Sequence, residues 1–497
     1  MRRATLSSMA AAMTTALVTS MLVLNGALGA PAMQEDAAKP NIIYIVTDDA
    51  DKQLLFSMPN IKRLLVDKGT FLENYYIPQA ICCPSRTSVL TGEYTHNHKV
   101  TGINAPEGGF AKYQQMGHDP DNVAGSVEAQ GYNSGLFGKF LNEYGPETSS
   151  STYVGANWTR WFAVFSQKRY GWQANDDGTV RTFGNTAASY ADNVIWRKTQ
   201  GFTFNQLDAG RPVFTYWSPL APHGEGKDEE GKGDYPIPPG YDNLDPGPTP
   251  SFKRPSFDEA DVSDKPNYVL RNARISPTDK EKIEATYKGR YRMLRNVDDQ
   301  VKELYDELAA RGQLDNTYIV LTSDNGWHEG EHRIDDAKLT PYEEASNVGA
   351  VVRGPGIPAG VTKSGLTSAQ DLYATFIDMA DGAKGTGVNR DGRSLLPLLQ
   401  GTNSSWRHGI LLENLLGRVH GKPDYYGIVT DDPNGSHYKY VEYANGEKEL
   451  YDLNSDPYEL ESLVDTADPA LLENLSLRLA ALKVCAEASC REAEESL

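Results

Sequence analysis

The segment at residues 82–92 holds the residue types best able to do chemistry. It reads Cys-Cys-Pro-Ser-Arg-Thr-Ser-Val-Leu-Thr-Gly. Pro84 suits the first turn of a helix, so we predict that Cys82 lies just outside a helix N-terminus, where free backbone amides and the helix dipole attract anions. Arg86, one turn into that helix, adds a fixed positive charge. This arrangement predicts a site for a tetrahedral oxyanion next to Cys82.

Two other interpretations of Cys82 have to be weighed. A cysteine that stands alone is more often a buried structural residue than a reactive one. The loop of a cysteine phosphatase needs a longer spacer between its cysteine and arginine than the three residues that separate Cys82 from Arg86. The spacing therefore disfavours the phosphatase interpretation.

Several apolar segments end abruptly in polar side chains. Residues 41–46, 132–137, 212–217 and 317–321 are rich in strand-forming residues. Near-continuous apolar strands separated by helices are typical of a parallel sheet covered on both faces, so we predict an α/β fold with a large, mostly parallel central sheet. Ligands gather beyond the carboxyl ends of such strands. The polar groups expected to converge there are Asp48, Asp49, Lys139, His223, Asp324 and Asn325.

A long amphipathic helix is predicted before the strand that ends at Asp324. Ser276 and Pro277 are typical of an N-cap and a first-turn proline. The preceding residues 224–275 are rich in Gly, Pro and Asp, and we predict a long surface insertion there. Apolar side chains of the helix recur at spacings of three and four, at Ile283, Tyr287, Tyr291, Leu294, Val297, Val301, Leu304 and Leu308.

The chain is predicted to begin with a secretory signal. Arg2 and Arg3 precede an apolar stretch that small residues follow. We assign residues 1–32 to this signal, 38–380 to a catalytic domain and 381–497 to a smaller C-terminal α+β subdomain. Polar residues interrupt the apolar stretch and no second one follows, so we predict no membrane span after signal removal. The expected location is secreted or periplasmic, that is, extracytoplasmic.

Charge and cysteine content narrow the possible partners. The formal net charge of −19 would repel nucleic acid, so an anionic substrate has to be held by local positive charge. Besides Cys82 and Cys83, the chain contains Cys485 and Cys490. These last two lie close together in a predicted helical segment of an exported protein, and we predict a disulfide between them.

The run C-x-P-S-R-x-x-x-L-T-G at residues 82–92 resembles the signature of the type I, formylglycine-dependent sulfatases. The resemblance covers residues 40–490 and is closest to the branch of N-acetylglucosamine-6-sulfatases and arylsulfatase-like enzymes. It implies an alkaline-phosphatase-like sandwich and the hydrolysis of sulfate monoesters, of the aryl sulfate or N-acetylglucosamine-6-sulfate type. Further matching segments are residues 94–98, 138–145, 353–356 and 450–453.

The resemblance also implies roles for individual residues. Cys82 is converted to formylglycine by a formylglycine-generating enzyme during maturation. Arg86, Lys139, His223 and Lys338 are the implied catalytic side chains, and a sulfated small molecule or glycan is the implied substrate. One Ca²⁺ per chain is the implied metal, and oxygen ligands suit such a hard cation. Its implied ligands are Asp48, Asp49, Asp324, Asn325 and the modified Cys82.

One position departs from the family pattern. Many members carry a histidine two residues after the lysine that Lys139 matches, whereas this chain has Leu141. The branch that this chain resembles most, which also has the adjacent cysteines of Cys82-Cys83, shares this difference, so activity need not be lost. Asn142 is then a candidate to orient the hydroxyl of the nucleophile.

Residues 328–332 spell His-Glu-Gly-Glu-His, the H-E-x-x-H pattern of zinc proteases. That motif needs the interior of a helix. Here Gly330 lies at its centre, and the segment follows a predicted strand end. We therefore expect no protease zinc site.

Two other functions stay open at this stage. A phosphoesterase or phosphonate hydrolase of the same superfamily can hold phosphate with the same metal and nucleophile. A non-catalytic protein that binds sulfated glycans could keep the fold without modification of Cys82. The relative turnover of matched sulfate and phosphate esters tests the first alternative, and an unmodified Cys82 thiol would support the second.

Overall fold

A large mixed sheet forms the centre of the computed structural model, which describes residues 39–146, 151–226, 234–381, 389–403, 405–417 and 421–497. The predicted signal at residues 1–32 lies outside these ranges. Within the described residues the sheet has ten strands. From one edge to the other they are Val361–Lys363, Thr70–Leu72, Ala350–Arg353, Thr317–Ser323, Asn41–Thr47, Val213–Ser218, Asn133–Gly138, Arg160–Val164, Gln173–Asp176 and Thr179–Thr182.

The central strands of this sheet run parallel. From Thr317–Ser323 through Asn41–Thr47, Val213–Ser218 and Asn133–Gly138 to Arg160–Val164, every pair of neighbours is parallel. Antiparallel strands flank this block on both sides. The prediction of a large, mostly parallel central sheet is therefore confirmed, and the carboxyl ends of its central strands share one edge.

Alternate residues of Asn41–Thr47 enter two different cores, because side chains along a strand point to opposite faces. On one face Tyr44 packs with Phe376 from a covering helix, with ring centroids 5.2 Å apart. On the other face Ile43 belongs to the same buried cluster as Val297 of the long helix. Helices thus cover both faces, as an α/β fold requires.

Helices connect the strands and cover the sheet. No helix among the described residues is both long enough and apolar enough to cross a membrane. The 3₁₀ and π segments are Lys62–Val66, Ala187–Ser189, Pro250–Lys253 and Leu314–Asn316. The α-helices are Lys52–Phe56, Pro59–Ile61, Cys82–Thr91, Thr95–His98, Gly109–Gln115, Val123–Glu128, Ala191–Asp208, Asn267–Leu270, Pro277–Ala310, Glu343–Ser346, Asp371–Asp381, Leu396–Gln400, Pro469–Leu482 and Ala488–Glu495.

The long crossover helix runs from Pro277 to Ala310 and leads to the strand before Asp324, as predicted. Ser276 is its N-cap, and its hydroxyl accepts a hydrogen bond from the Asp279 amide at 3.1 Å. Every residue of the predicted apolar face is buried except Tyr291, which is partly exposed. The apolar periodicity together with the Ser276-Pro277 start signal was sufficient to locate this helix.

The insertion after His223 is more than a surface loop. Its residues Val262 and Val269 are buried in one cluster with Tyr425 and Tyr443 of the C-terminal sheet. The prediction of a surface insertion is therefore wrong for this part. The composition is polar overall, but these apolar residues, together with polar contacts such as Lys265 to the Leu460 carbonyl, anchor the segment on its neighbours.

A second sheet lies in the C-terminal part of the chain. Among the described residues it has four antiparallel strands, and the disulfide between Cys485 and Cys490 lies beyond it, between two helices. The boundary at residue 381 stays a prediction. The strands are Gly409–Asn414, Tyr425–Thr430, Tyr438–Tyr443 and Lys448–Asp452. Two smaller sheets pair His328–Glu329 with Asp335–Ala337 and Tyr75–Tyr76 with Thr367–Ser368.

Buried polar contacts join the C-terminal sheet to the segment after Lys338. The Tyr342 hydroxyl donates to Glu449 at 2.7 Å. The fully buried Lys439 pairs with Glu343 at 2.9 Å and with Glu459 at 2.7 Å. These contacts fix the C-terminal sheet beside the loop that carries a candidate catalytic lysine.

Replacement of Lys439 by methionine tests this junction. Lys439→Met keeps the side-chain volume but leaves the buried Glu459 and the partly buried Glu343 without their cation, so we expect the free energy of unfolding to fall by about 3 kcal/mol. Urea denaturation measures the change. Lys448→Met, which removes a partly exposed pair with Glu442, is the matched control and should cost at most about 1 kcal/mol. Equal losses for the two variants would contradict a special role for Lys439.

Candidate active site

Two parallel strands deliver the acidic side chains to one place. Thr47 pairs with Ser323, so the residues that follow each strand lie at the same level of the sheet. The Asp49 backbone amide donates to Asp324 Oδ1 at 3.0 Å. Asn325 Nδ2 donates to Asp49 Oδ1 at 2.7 Å. The predicted convergence of the two strand ends is therefore present in the structure.

Cys82 lies against these acids. Its Sγ atom is 3.5 Å from Asp48 Oδ1 and 3.8 Å from Asp49 Oδ1. Cys82 is the first residue of the helix Cys82–Thr91, one position further in than predicted. The difference is within the usual uncertainty of helix ends, because Ile81 is still extended and Pro84 still lies in the first turn.

The surroundings of Cys82 suppress its reactivity as a thiol. Burial raises the pKa of the Cys82 thiol to about 12, although Lys139 and Lys338 oppose this shift. Thiolate, not thiol, is the reactive form of cysteine. An unmodified Cys82 between two carboxylates is therefore a poor nucleophile at neutral pH.

Arg86 connects three parts of the site. Its Nε donates to Asp324 Oδ2 at 2.8 Å, and its Nη1 donates to Ser218 Oγ at 2.6 Å and to the Lys139 carbonyl at 3.1 Å. Its Nη2 is buried and has no hydrogen-bond partner among the described residues. The free N–H groups of Nη2 are suitable donors for an oxyanion.

Lysines neutralise the two adjacent aspartates. Lys139 Nζ is 2.6 Å from Asp48 Oδ2. Lys338 Nζ is 2.5 Å from Asp49 Oδ1 and 3.0 Å from Cys82 Sγ. Burial alone would raise the pKa of both aspartates, but the lysines outweigh it and hold both pKa values below the usual range. Both carboxylates are therefore ionised at neutral pH.

His223 approaches the same carboxylates from another strand. It follows Val213–Ser218, and its Nε2 lies 3.6 Å from Asp49 Oδ2. Burial lowers the pKa of His223, although Asp49 and Asp48 oppose the shift. The imidazole is therefore mostly neutral at physiological pH.

The residues present fit a divalent cation. Asn325 Oδ1 is a buried acceptor without a hydrogen-bond partner among the described residues. Ligand atoms of Asp48, Asp49, Cys82 and His223 all lie within 4.8 Å of one another. Burial and the Asp48 carboxylate raise the pKa of Asp324 to about 6 in spite of Arg86, so a further positive charge would stabilise this site. Carboxylate and amide oxygens are the ligands that Ca²⁺ prefers.

Comparison with known proteins identifies the family of the chain. The model of the family described as Sulfatase matches residues 40–383. The chain belongs to the sulfatase family. The model described as the C-terminal region of N-sulphoglucosamine sulphohydrolase also matches residues 330–484. The resemblance noted in the sequence is thus confirmed, and the protein is a sulfuric ester hydrolase.

Individual relatives of this sulfatase agree with the family. It is 30% identical over 505 residues to the N-acetylglucosamine-6-sulfatase of Capra hircus, covering 94% of this chain and 87% of that protein. It is 34% identical over 387 residues to an extracellular sulfatase SULF-1 homologue of Drosophila melanogaster, covering 76% of this chain and 33% of that protein. The chain also resembles the solved structure of a protein, BT4656, in complex with that protein's substrate D-glucosamine-2-N,6-O-disulfate. The match covers 92% of this chain and 99% of the other chain, with a TM-score of 0.69 and 21% identity. This structural likeness confirms the alkaline-phosphatase-like fold.

Two polar residues near the sulfatase site were missed by the sequence reasoning. Gln167 Nε2 donates to Asp48 Oδ2 at 3.1 Å. It follows the parallel strand Arg160–Val164, so the rule about polar groups at strand ends could have found it. Lys422, whose Nζ donates to the Lys338 carbonyl, had no such signal, because it follows no strand of the central sheet.

The family histidine that is missing at Leu141 raises the question of which side chain contacts Cys82. Leu141 is buried in the core. No described contact joins the side chain of Asn142 to Cys82, whereas Lys338 Nζ lies 3.0 Å from Cys82 Sγ. Lys338 is therefore the basic side chain that contacts Cys82 directly, and the role of Asn142 stays a prediction.

The zinc-protease pattern has no helical context, as expected. His328 and Glu329 form a short strand, and Gly330 has a φ of +105°. His328 Nε2 contacts the Thr340 hydroxyl at 2.7 Å, and His332 Nδ1 contacts Glu259 at 2.7 Å. The two histidines thus have separate structural partners.

The Asn325 carbonyl offers a test of cation binding that needs no activity assay. At a free Ca²⁺ concentration of 100 times Kd, binding adds about 2.7 kcal/mol to the stability. In Asn325→Leu we expect this Ca²⁺-dependent gain to shrink by at least about 1.4 kcal/mol, since one oxygen ligand is lost. Thermal unfolding with Ca²⁺ or with a chelator measures it.

Asn414→Leu is the matched control. Asn414 is also buried with an unpartnered Oδ1, but it lies in the C-terminal sheet and donates to the Pro423 carbonyl. This variant should lose overall stability and keep the full Ca²⁺-dependent gain. If Asn325→Leu also kept the full gain, Asn325 would not be a ligand.

Proposed function

We propose that this sulfatase removes the 6-O-sulfate from a glucosamine-type sugar, with formylglycine at position 82 and one Ca²⁺ per chain. The position of Cys82 carries the proposal, because its side chain lies between the acidic cluster and Lys338 while its own thiol is protonated. Oxidation of Cys82 to an aldehyde replaces the unreactive, protonated thiol. The 6-sulfatase relatives support the class of substrate.

Asp48, Asp49, Asp324 and Asn325 are proposed to hold the cation, together with the modified Cys82. When bound, the cation supplies Lewis acidity towards the oxygens of the sulfate group. Hydrated formylglycine supplies one hydroxyl that attacks sulfur and a second that later expels sulfate and restores the aldehyde. The remaining chemistry belongs to side chains of the chain itself.

Arg86 and Lys139 prepare the site for an anion. The Nη2 group of Arg86 can donate to a sulfate oxygen, while its other nitrogens keep Asp324, Ser218 and the Lys139 carbonyl in place. Lys139 balances the charge of Asp48. Donors that are fixed before the reaction stabilise the charge that develops in the transition state without further reorganisation.

Lys338 and His223 are the candidates to protonate the departing sugar oxygen. Burial would lower the pKa of Lys338, but Asp49 and the Cys82 side chain outweigh it and hold the pKa well above the usual value. Lys338 is therefore protonated throughout the physiological range. His223 lies on the other side of Asp49 and has to gain a proton before it can donate one.

The dependence on the leaving group tests the acid. A sugar alkoxide needs a proton as it leaves, whereas nitrophenolate does not. If Lys338 is the acid, Lys338→Met should lose about 10²- to 10⁴-fold in kcat/KM on glucosamine 6-sulfate and far less on nitrophenyl sulfate. If His223 is the acid, His223→Gln should show this difference instead. The other variant should lose a similar factor on both substrates. If neither variant distinguished the two substrates, neither residue would be the acid.

The adjacent cysteines provide a matched pair for the nucleophile. Cys82→Ala should lower sulfate release by about 10⁴-fold or more, as the removal of other catalytic nucleophiles does. Cys83→Ala should retain most of the activity, because Cys83 is a buried member of the hydrophobic core. Peptide mass spectrometry on native protein should find formylglycine at position 82 and a thiol at position 83. An unmodified Cys82 in active protein would refute the mechanism.

Turnover of nitrophenyl esters also tests the two alternative functions, a phosphoesterase and a glycan-binding protein. A sulfatase should turn over nitrophenyl sulfate faster than the matched phosphate and phosphonate esters, and the reverse order would support a phosphoesterase or phosphonate hydrolase. Lack of turnover by protein with an unmodified thiol would support a glycan-binding protein. The ionised acids and the free Arg86 donor favour catalysis.

We also propose an extracytoplasmic location and two domains. The disulfide between Cys485 and Cys490 and the extracellular relative support the location. The change from the large parallel sheet to the antiparallel sheet supports a catalytic domain at residues 38–380 and a subdomain at 381–497. A formylglycine-generating enzyme is the expected maturation partner.

A further inference from the structure

A cavity of about 520 Å³ opens beside the nucleophile. Ile81, which directly precedes Cys82, lines it, and so does Lys338, whose Nζ is 3.0 Å from Cys82 Sγ. Its size lies within the range of pockets that hold small ligands. The cavity therefore adjoins the position proposed for the sulfate group of a substrate.

Two cationic side chains in the walls of the cavity have no ion-pair partner among the described residues. Besides Lys338, Lys422 and Arg271 line it, and no described acid lies within ion-pair distance of either. Asp335, which is exposed, is the one acidic residue among the described lining residues. This excess of cations contrasts with the net charge of −19 of the whole chain.

Lys422 is held in place rather than free in solvent. Its Nζ donates to the backbone carbonyl of Lys338, and both lysines line the same cavity. Burial lowers the pKa of Lys422 to about 8, and the charge of Lys338 adds to the shift. An anion in the cavity would relieve this repulsion.

Aromatic side chains complete the cavity. Trp327 comes directly after the Asp324-Asn325-Gly326 turn and is half-buried, with Lys338 Nζ 6.0 Å from its ring centroid. Tyr268 lines the cavity as well. Aromatic faces pack against the apolar faces of sugar rings, so this lining suits a sugar that carries anionic groups.

We propose that this cavity binds a second anionic group of the substrate through Lys422 and Arg271. The inference rests on the proposed function and refines it, since a doubly charged glucosamine 6-sulfate becomes the preferred substrate over its N-acetylated counterpart. A neutral N-acetyl group leaves both cations without an anionic partner. A second sulfate or carboxylate forms charge-assisted hydrogen bonds with them.

Three ligands separate the possible sources of the second charge. They are N-acetylglucosamine 6-sulfate, N-sulfoglucosamine 6-sulfate and a disaccharide in which a uronic acid is linked to N-acetylglucosamine 6-sulfate. Binding is measured by calorimetry on the Cys82→Ala protein, which does not turn over, and kcat/KM on the mature enzyme. We expect at least one doubly charged ligand to be favoured by roughly tenfold or more in both measurements. The favoured ligand identifies the anion as N-sulfate or carboxylate.

Lys422→Met and Arg271→Gln, each made in both proteins, should reduce this preference by roughly tenfold. Arg271 is exposed, so its variant keeps the fold even if Lys422→Met disturbs Lys338. Lys302→Met, on the exposed side of the long helix, is the control and should leave the preference unchanged.

Two results would overturn the inference: equal affinity for all three ligands, or a preference that both variants retain. Failure of the proposed function has a different signature. Protein with formylglycine at position 82 would then release no sulfate from any of the three ligands or from nitrophenyl sulfate, whatever the binding preference.

Discussion

Burial of the adjacent carboxylates Asp48 and Asp49 is the constraint on which the rest of the site depends. Charges removed from water are costly unless cations and hydrogen bonds compensate them. Here Lys139 and Lys338 each pair with one aspartate, and Asn325 donates to Asp49. A cation bound among these oxygens would take over part of this compensation and release the lysines towards the substrate.

The parallel sheet explains why such distant residues meet. Asp49 and Asp324 are 275 positions apart, yet their strands are neighbours and in register. The long helix Pro277–Ala310 closes the connection by covering one face of the sheet. His223 and Lys139 follow the next strands along the same edge. One edge of one sheet therefore provides most of the site, and helices on both faces keep it rigid.

Cys82, the proposed nucleophile, and the cavity proposed to bind the substrate come from outside this edge. The first turn of the helix that begins at Cys82 lies beside the acids. Burial there keeps the Cys82 thiol protonated and unreactive, so conversion of the thiol to formylglycine would provide a better nucleophile. The segment after Lys338 is fixed by buried contacts with the C-terminal sheet, such as that between Tyr342 and Glu449. The C-terminal part thus supports a catalytic loop and supplies Lys422 to the cavity wall.

The sequence by itself determined the features that depend on local pattern: the apolar strands with their polar ends, the long helix, the Cys82 to Gly92 motif and, through it, the family. Only the tertiary structure decided which groups contact each other. It placed Gln167 beside Asp48, Lys338 beside Cys82 and Lys422 in the wall of the cavity. The physical reason is that strand and helix periodicity arises from neighbours along the chain, whereas these contacts and the pKa shifts arise from burial beside residues far away in sequence.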